Sequence, residues 1–181
     1  MENFDCEQAI DKVSGQLKTL IQENGYTVMG VGNFVTYSVG VSITPKTSFE
    51  FVVDTKSVQL GNAVIHELVR RVNSGEIFEE EKAYESDTLK LAKDYDSKEG
   101  ATNVKTKFMM VKVDPWTMFK NVTFWWDVLP NYKNMETCYL VVLGDKDNVL
   151  PMEKEGYNKD DLVKKFFLNK TVFKLTALLK P

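Results

Sequence analysis

Few residues in this chain could do chemistry, and their spacing removes most of the familiar options. There is one histidine, His66, and there are two cysteines, Cys6 and Cys138. His66 opens the string His66-Glu67-Leu68-Val69-Arg70. A zinc-peptidase helix needs a second histidine one turn later so that both imidazoles face the metal, and Arg70 stands there instead. One histidine and two distant cysteines do not make a structural zinc set either. A Cys138–His66 nucleophilic pair stays open on spacing alone, with nothing in the sequence favouring it. The Gly-x-Ser-x-Gly elbow and the lysine-bearing phosphate loop are both absent. Gly30-Val31-Gly32 starts like a dinucleotide loop, but Val35 occupies the place of the third glycine and a strand pattern follows, so a plain turn is expected. Asp145-Lys146-Asp147-Asn148 starts like a calcium loop but lacks the later oxygen ligands and the central glycine, which leaves a polar turn. No metal and no cofactor is expected.

Three sets of candidates remain. Glu50 interrupts the apolar run Phe49-Glu50-Phe51-Val52-Val53, and a carboxylate there is expected at the solvent face or on an edge strand. Paired with Asp54 or His66 it would be the best residue of a small hydrolase; His66 by itself reads as a helix-surface residue. The second set is aromatic: Trp116, Phe119, Phe124, Trp125, Trp126 and Tyr132 crowd one stretch. Such a group is mostly core, but adjacent Trp125 and Trp126 cannot face the same way, so the outward one is a candidate partner contact. The third is acidic: Glu79, Glu80 and Glu81 belong to a segment, 76–99, that could meet a basic partner or mimic a nucleic acid, in a salt-dependent complex.

The elements that must position these residues follow from periodicity. Ile10, Val13, Leu17, Leu20 and Ile21 fall on one face of a helix over 5–24, which Asn24-Gly25 stops. Strands are predicted over 26–31, 34–41 and 49–53. Gly40 inside the second of these permits a bulge or a close approach by a ligand or another backbone. Ser57 caps a helix over 57–73 with the stripe Leu60, Val64, Ile65, Leu68, Val69 and Val72; Arg70 and Arg71 near its end suit the helix dipole. Residues 76–103 read as a solvated charged loop with one or two helical turns near 82–93. A strand over 104–113, a helix over 115–129 opened by Asp114-Pro115, a strand over 137–143 and a helix over 158–168 complete the pattern, with the tail 171–179 open to strand or helix. Together these predict one α+β domain spanning 1–181, with a mixed, largely antiparallel sheet of five or six strands flanked by about four helices.

Bulk properties narrow the function classes. A chain of 181 residues, 43% hydrophobic and 27% charged, can bury a substantial core as an ordinary soluble domain. A net charge of −3 argues against holding bare duplex by general charge attraction. The acidic start Met1-Glu2-Asn3-Phe4-Asp5 lacks a signal-peptide flank, and no apolar run is long enough to cross a membrane. The two separated cysteines fit free thiols in a reducing compartment, so a cytoplasmic location is expected.

Several segments taken in order resemble the bacterial and phage family "domain of unknown function 4262". They are Tyr37-Ser38-Val39-Gly40-Val41, Ser48 to Val53, the helix end Leu68 to Gly75, and Leu140 to Asp145 followed by Leu150-Pro151. The likeness covers about 20–157. It departs from the family at Phe49 and Gly144, where the family has or often has proline, and in lacking a tryptophan after Pro151. The resemblance implies that Tyr37, Gly40 and Glu50 occupy characteristic family positions and could line one ligand site, to which His66 is added as a fourth candidate. The family carries no established activity. The expectation is therefore a non-enzymatic binding protein, in phage form an inhibitor or sponge acting on a host protein or a small nucleotide-like ligand.

Overall fold

The structure is a computed structural model that describes residues 6–31, 35–43, 47–55, 57–92, 103–121 and 135–178. Among the described residues six strands form one sheet: β1 (Thr27–Val31), β2 (Val35–Val39), β3 (Phe49–Asp54), β4 (Tyr84–Ala92), β5 (Asn103–Val113) and β6 (Thr137–Leu143). Their spatial order is β1-β2-β3-β6-β5-β4. Only β3 and β6 run parallel; the other four neighbouring pairs are antiparallel. With helices α1 (Cys6–Asn24), α2 (Val58–Asn73), α3 (Pro115–Asn121) and α4 (Lys159–Leu178), this is the mixed, largely antiparallel α+β domain that the periodicity predicts.

Strand alternation divides the core between the two faces of the sheet. On one face Phe51, Val53, Phe108, Met110 and Val141 meet Val64, Ile65, Leu68, Val69 and Val72 of α2. Gly61 lets that helix lie close, since a Cβ there would collide with the Thr36 side chain on β2. On the other face Tyr37, Val39, Val52, Met109, Val111 and Leu140 are covered by Leu17 of α1, Met118 of α3 and Phe166 of α4. The caps follow the sequence rules: Ser57 Oγ accepts from Leu60 N–H, Asp114 Oδ2 from Thr117 N–H, and Asn158 Oδ1 from Asp161 N–H.

Two expectations are corrected. Residues 84–92, read as solvated loop with helical turns, form edge strand β4. Charges at Glu85, Asp87 and Lys90 hide the strand, because they sit on an edge broken by a register shift between Glu85 and Lys90. Its inward residues are Ser86, buried by a polar contact, and Tyr84, stacked on Phe108 at 5.4 Å. Glu50, expected at the solvent face or on an edge, is fully buried on β3, which has β2 and β6 on either side. The tail left open between strand and helix continues α4 to Leu178. The expected helix over 115–129 is described as far as Asn121; Phe124, Trp125, Trp126 and Tyr132 lie outside the described residues.

Candidate functional site

Glu50 points to the face opposite α2, as do its neighbours Val52 and, across the parallel pair, Cys138. The β2–β3 ladder is regular as far as Tyr37↔Val52. Beyond that point β2 leaves its partner through Gly40, whose φ is +104°, into a 3-10 turn at Val41–Ile43. The carboxylate occupies the gap. Its Oε1 accepts from Gly40 N–H and Ser42 N–H, both at 2.9 Å, and from Ser42 Oγ at 2.7 Å. Its Oε2 accepts from Ser38 Oγ at 2.5 Å, and that hydroxyl accepts from Phe51 N–H at 2.8 Å. Burial raises the Glu50 pKa above the ordinary range, against the pull of these donors. Burial also pushes the free Cys138 thiol up well above its usual range, with Glu50 a second cause.

Structure therefore joins two of the four ligand-site candidates, Gly40 and Glu50, through a backbone hydrogen bond. The space beside Gly40 belongs to α1: a Cβ there would lie 3.1 Å from Ile21 and 3.2 Å from the Gly25 carbonyl. Tyr37 is wholly buried in the core with its hydroxyl 3.5 Å from Met29 Sδ. His66 is exposed on α2, across the sheet, and its Nδ1 lies 2.6 Å from the Tyr26 hydroxyl. Asp54 is exposed on the same side of β3 as Glu50, but four residues along a strand is about 13 Å, too far to share a proton.

A second buried carboxylate escaped the sequence patterns. Glu67 lies on α2 next to His66, one turn before Arg71. Its Oε2 accepts from Ser86 Oγ at 2.6 Å, Thr88 Oγ1 at 2.5 Å and Thr88 N–H at 3.3 Å. Its Oε1 accepts from Asp87 N–H at 2.8 Å and Arg71 Nη1 at 3.3 Å. Burial alone would raise its pKa, but these donors outweigh it and leave the carboxyl below its ordinary value. An acid and a base at i and i+4 beside an apolar stripe was the one available signal.

Arg71 connects this clamp to a cleft. Its guanidinium lies over the rings of Phe78, Tyr84 and Phe108 at 5.4 to 5.9 Å, and forks onto Glu76 through two contacts of 2.6 Å. The helix ends in a Schellman arrangement: Gly75 N–H bonds to Val72 O, Glu76 N–H to Arg71 O, and Gly75 takes φ +92°. The Arg71–Glu76 ion pair stands where this motif commonly carries an apolar contact. That construction fixes a cleft of about 270 Å³ lined by Phe49, Val72, Gly75, Glu76, Ile77, Phe78 and Tyr139. The Phe49 ring packs edge-on to Tyr139 at 5.1 Å. Ile77 stands at its rim 84% exposed.

The acidic candidates adjoin this loop. Glu79 pairs with Lys82, and its N–H donates to the Tyr84 hydroxyl oxygen at 2.7 Å. Glu80 accepts from Lys112 N–H at 2.9 Å and Lys159 Nζ at 3.2 Å. Glu81 takes φ +54°, its N–H bonded to Met110 O. Two of the three thus have cationic partners within the chain. Asp145, in the loop that starts like a calcium site, accepts from Lys154 Nζ, Val149 N–H and Asp147 N–H, which hold its pKa down to about 2. Among the described residues no group of three or more His, Cys, Asp and Glu side chains is placed to hold a metal ion. Nor is any described helix long and apolar enough to cross a membrane. Comparison of the chain with protein-family models, with curated proteins and with solved structures finds no significant match.

Proposed function

We propose that this chain is a binding protein without catalytic chemistry of its own, and that it contacts its partner at the aromatic cleft beside Ile77. The observation that carries this reading is Ile77 itself: a large apolar side chain, 84% exposed, on a loop held by a helix stop and a forked ion pair. Rigid presentation lowers the ordering cost of contact. The size of the cleft selects the occupant. About 270 Å³ lies just under the range of roughly 300–1,000 Å³ usual for small-molecule sites, and suits one apolar or aromatic anchor side chain of a partner protein better than a whole nucleotide. In the phage setting that the family resemblance implies, the partner would be a host protein. The buried free thiol of Cys138 fits a reducing, cytoplasmic setting.

The hydrolase alternative has less to rest on. Glu50 already receives four donors from Ser38, Gly40 and Ser42, and both of its proposed partners are placed elsewhere.

The test is an amide-resolved NMR titration with three probes: N-acetyl-phenylalaninamide, N-acetyl-leucinamide and adenosine monophosphate. We expect the two amino-acid amides to shift the Gly75–Phe78 resonances, and Ile77→Asp to abolish the response without lowering the melting temperature. A response confined to the nucleotide, or shifts elsewhere that Ile77→Asp leaves intact, would overturn the reading.

A further inference from the structure

The one imidazole of the chain faces a phenol. Tyr26 directly precedes β1, and α2, which packs on that strand, brings His66 to it from 40 residues away. The Tyr26 hydroxyl lies 2.6 Å from His66 Nδ1, and the two rings meet edge to face with centroids 5.6 Å apart. Of these two neutral groups the phenol is the stronger acid, so its O–H donates to Nδ1 and the imidazole hydrogen sits on Nε2. His66 is exposed and Tyr26 half-buried, so small solutes reach the pair.

A phenol held in this way has one ready reaction. Burial pushes Tyr26 above its ordinary value, so at neutral pH it keeps its proton. Loss of an electron makes a phenol strongly acidic, and a base already in hydrogen-bond contact takes the proton in the same step. No other described tyrosine has an imidazole beside it. The Tyr37 hydroxyl lies against Met29 Sδ inside the core, and the Tyr84 hydroxyl oxygen accepts from Glu79 N–H. Tyr139 is buried to 7% exposure. The Tyr157 hydroxyl is buried with the Glu81 carboxylate, a far weaker base, as its neighbour.

We propose that Tyr26 is a site of one-electron oxidation, with His66 Nδ1 taking the phenol proton, and that nitrogen dioxide nitrates it ahead of the other described tyrosines. The first nitrogen dioxide takes one electron and leaves as nitrite, while the proton passes to His66 and a tyrosyl radical remains. A second nitrogen dioxide forms a C–N bond ortho to the oxygen. The ring carbon then loses its proton to water, and the imidazolium returns one to the oxygen. The sum is nitrotyrosine, one nitrite and one proton. This inference is independent of the cleft beside Ile77.

The test generates nitrogen dioxide from nitrite by pulse radiolysis in a solution of the full chain and maps nitrotyrosine by peptide mass spectrometry. Tyr26 should be nitrated before Tyr84, which is also half-buried and serves as the internal reference. Two variants at the exposed position 66 separate the roles of the ring. His66→Phe keeps an aromatic edge contact without a base, and His66→Gln accepts the hydrogen bond but cannot keep the proton. Each should slow Tyr26 nitration by about tenfold or more, since a positioned base is worth about a hundredfold and water replaces part of it. Tyr84 nitration and the melting temperature should not change. Nitration of Tyr26 no faster than that of Tyr84 overturns the proposal. So does a Tyr26 rate that either variant leaves at the parent value.

Discussion

Glu50 and Glu67 are both carboxylates removed from water, and each holds a stretch of backbone that has left regular pairing: the turn after β2 in one case, the broken edge of β4 in the other. Their acidities are nonetheless displaced in opposite directions. Burial is the largest cause at both and raises both; the hydrogen-bond donors outweigh it at Glu67 and do not at Glu50. Oε1 of Glu67 receives only groups that must donate, Asp87 N–H and the Arg71 guanidinium, while Oε2 receives Thr88 N–H and two hydroxyls, Ser86 Oγ and Thr88 Oγ1. A proton could sit only on Oε2, at the expense of those donors. Oε2 of Glu50 faces only the Ser38 hydroxyl, which can donate or accept. If Oε2 is protonated it donates to Ser38 Oγ, and the serine hydrogen turns to Phe51 O, 3.5 Å away. One clamp favours the charge and the other tolerates its loss. Buried carboxylates cannot therefore be interpreted from burial alone; the balance between burial and the donors decides.

The largest effect should come from Glu67→Ala, which leaves the Ser86–Thr88 donors without an acceptor and removes the weaker of the two carboxylate partners of Arg71. We expect a loss of about 3 kcal/mol, read by urea denaturation, as for orphaning several buried donors. Glu67→Gln should recover only part of this, because its amide can donate to Ser86 Oγ and Thr88 Oγ1 but gives up the charge facing Arg71 and the acceptor of Thr88 N–H. Glu50→Ala should cost about 2 kcal/mol by orphaning Gly40 N–H and Ser42 N–H. Glu50→Gln should stay within about 1 kcal/mol of the parent, since one oxygen serves the backbone donors and the amide can donate to Ser38. Equal losses for the two glutamine variants would break the comparison.

Titration sharpens it further. The pKa of Glu50 is raised in the folded protein, so its contribution is fully present below the ordinary value of 4.5 and is lost as pH rises through its folded value. Glu67 has the opposite sign: its contribution is present above 4.5 and disappears as pH falls through its lowered value. Denaturation midpoints against pH should show Glu50→Gln removing a decline on the rising side of 4.5. The gap between the parent and Glu67→Gln should close on the falling side.

Much of the architecture is legible in the amino-acid pattern. Stripes and strand alternations carry their own partners' geometry, so α1, α2, β1, β2, β3, β5 and β6 appear within a few residues of their predicted bounds. β4 is not legible in this way, because the residue that buries Ser86 is Glu67, nineteen positions away on a helix. The environment of Glu50 is hidden for the same reason. A local pattern places a carboxylate on a strand, but its donors come from the end of β2 and the turn after it, eight to twelve residues earlier. The cleft collects residues from α2, the following loop, β3 and β6, so no window of sequence contains it.

What the sequence determined by itself was periodic: which face of each element is apolar, where helices start and stop, and hence the class of fold. These depend on neighbours three or four residues apart on a helix or two apart on a strand. Tertiary structure alone decided which polar groups are buried, which strands stand at the edges, and that Ile77 is held at the rim of an aromatic cleft. Those outcomes turn on desolvation and hydrogen bonding between segments whose separation along the chain carries no information about their distance in space.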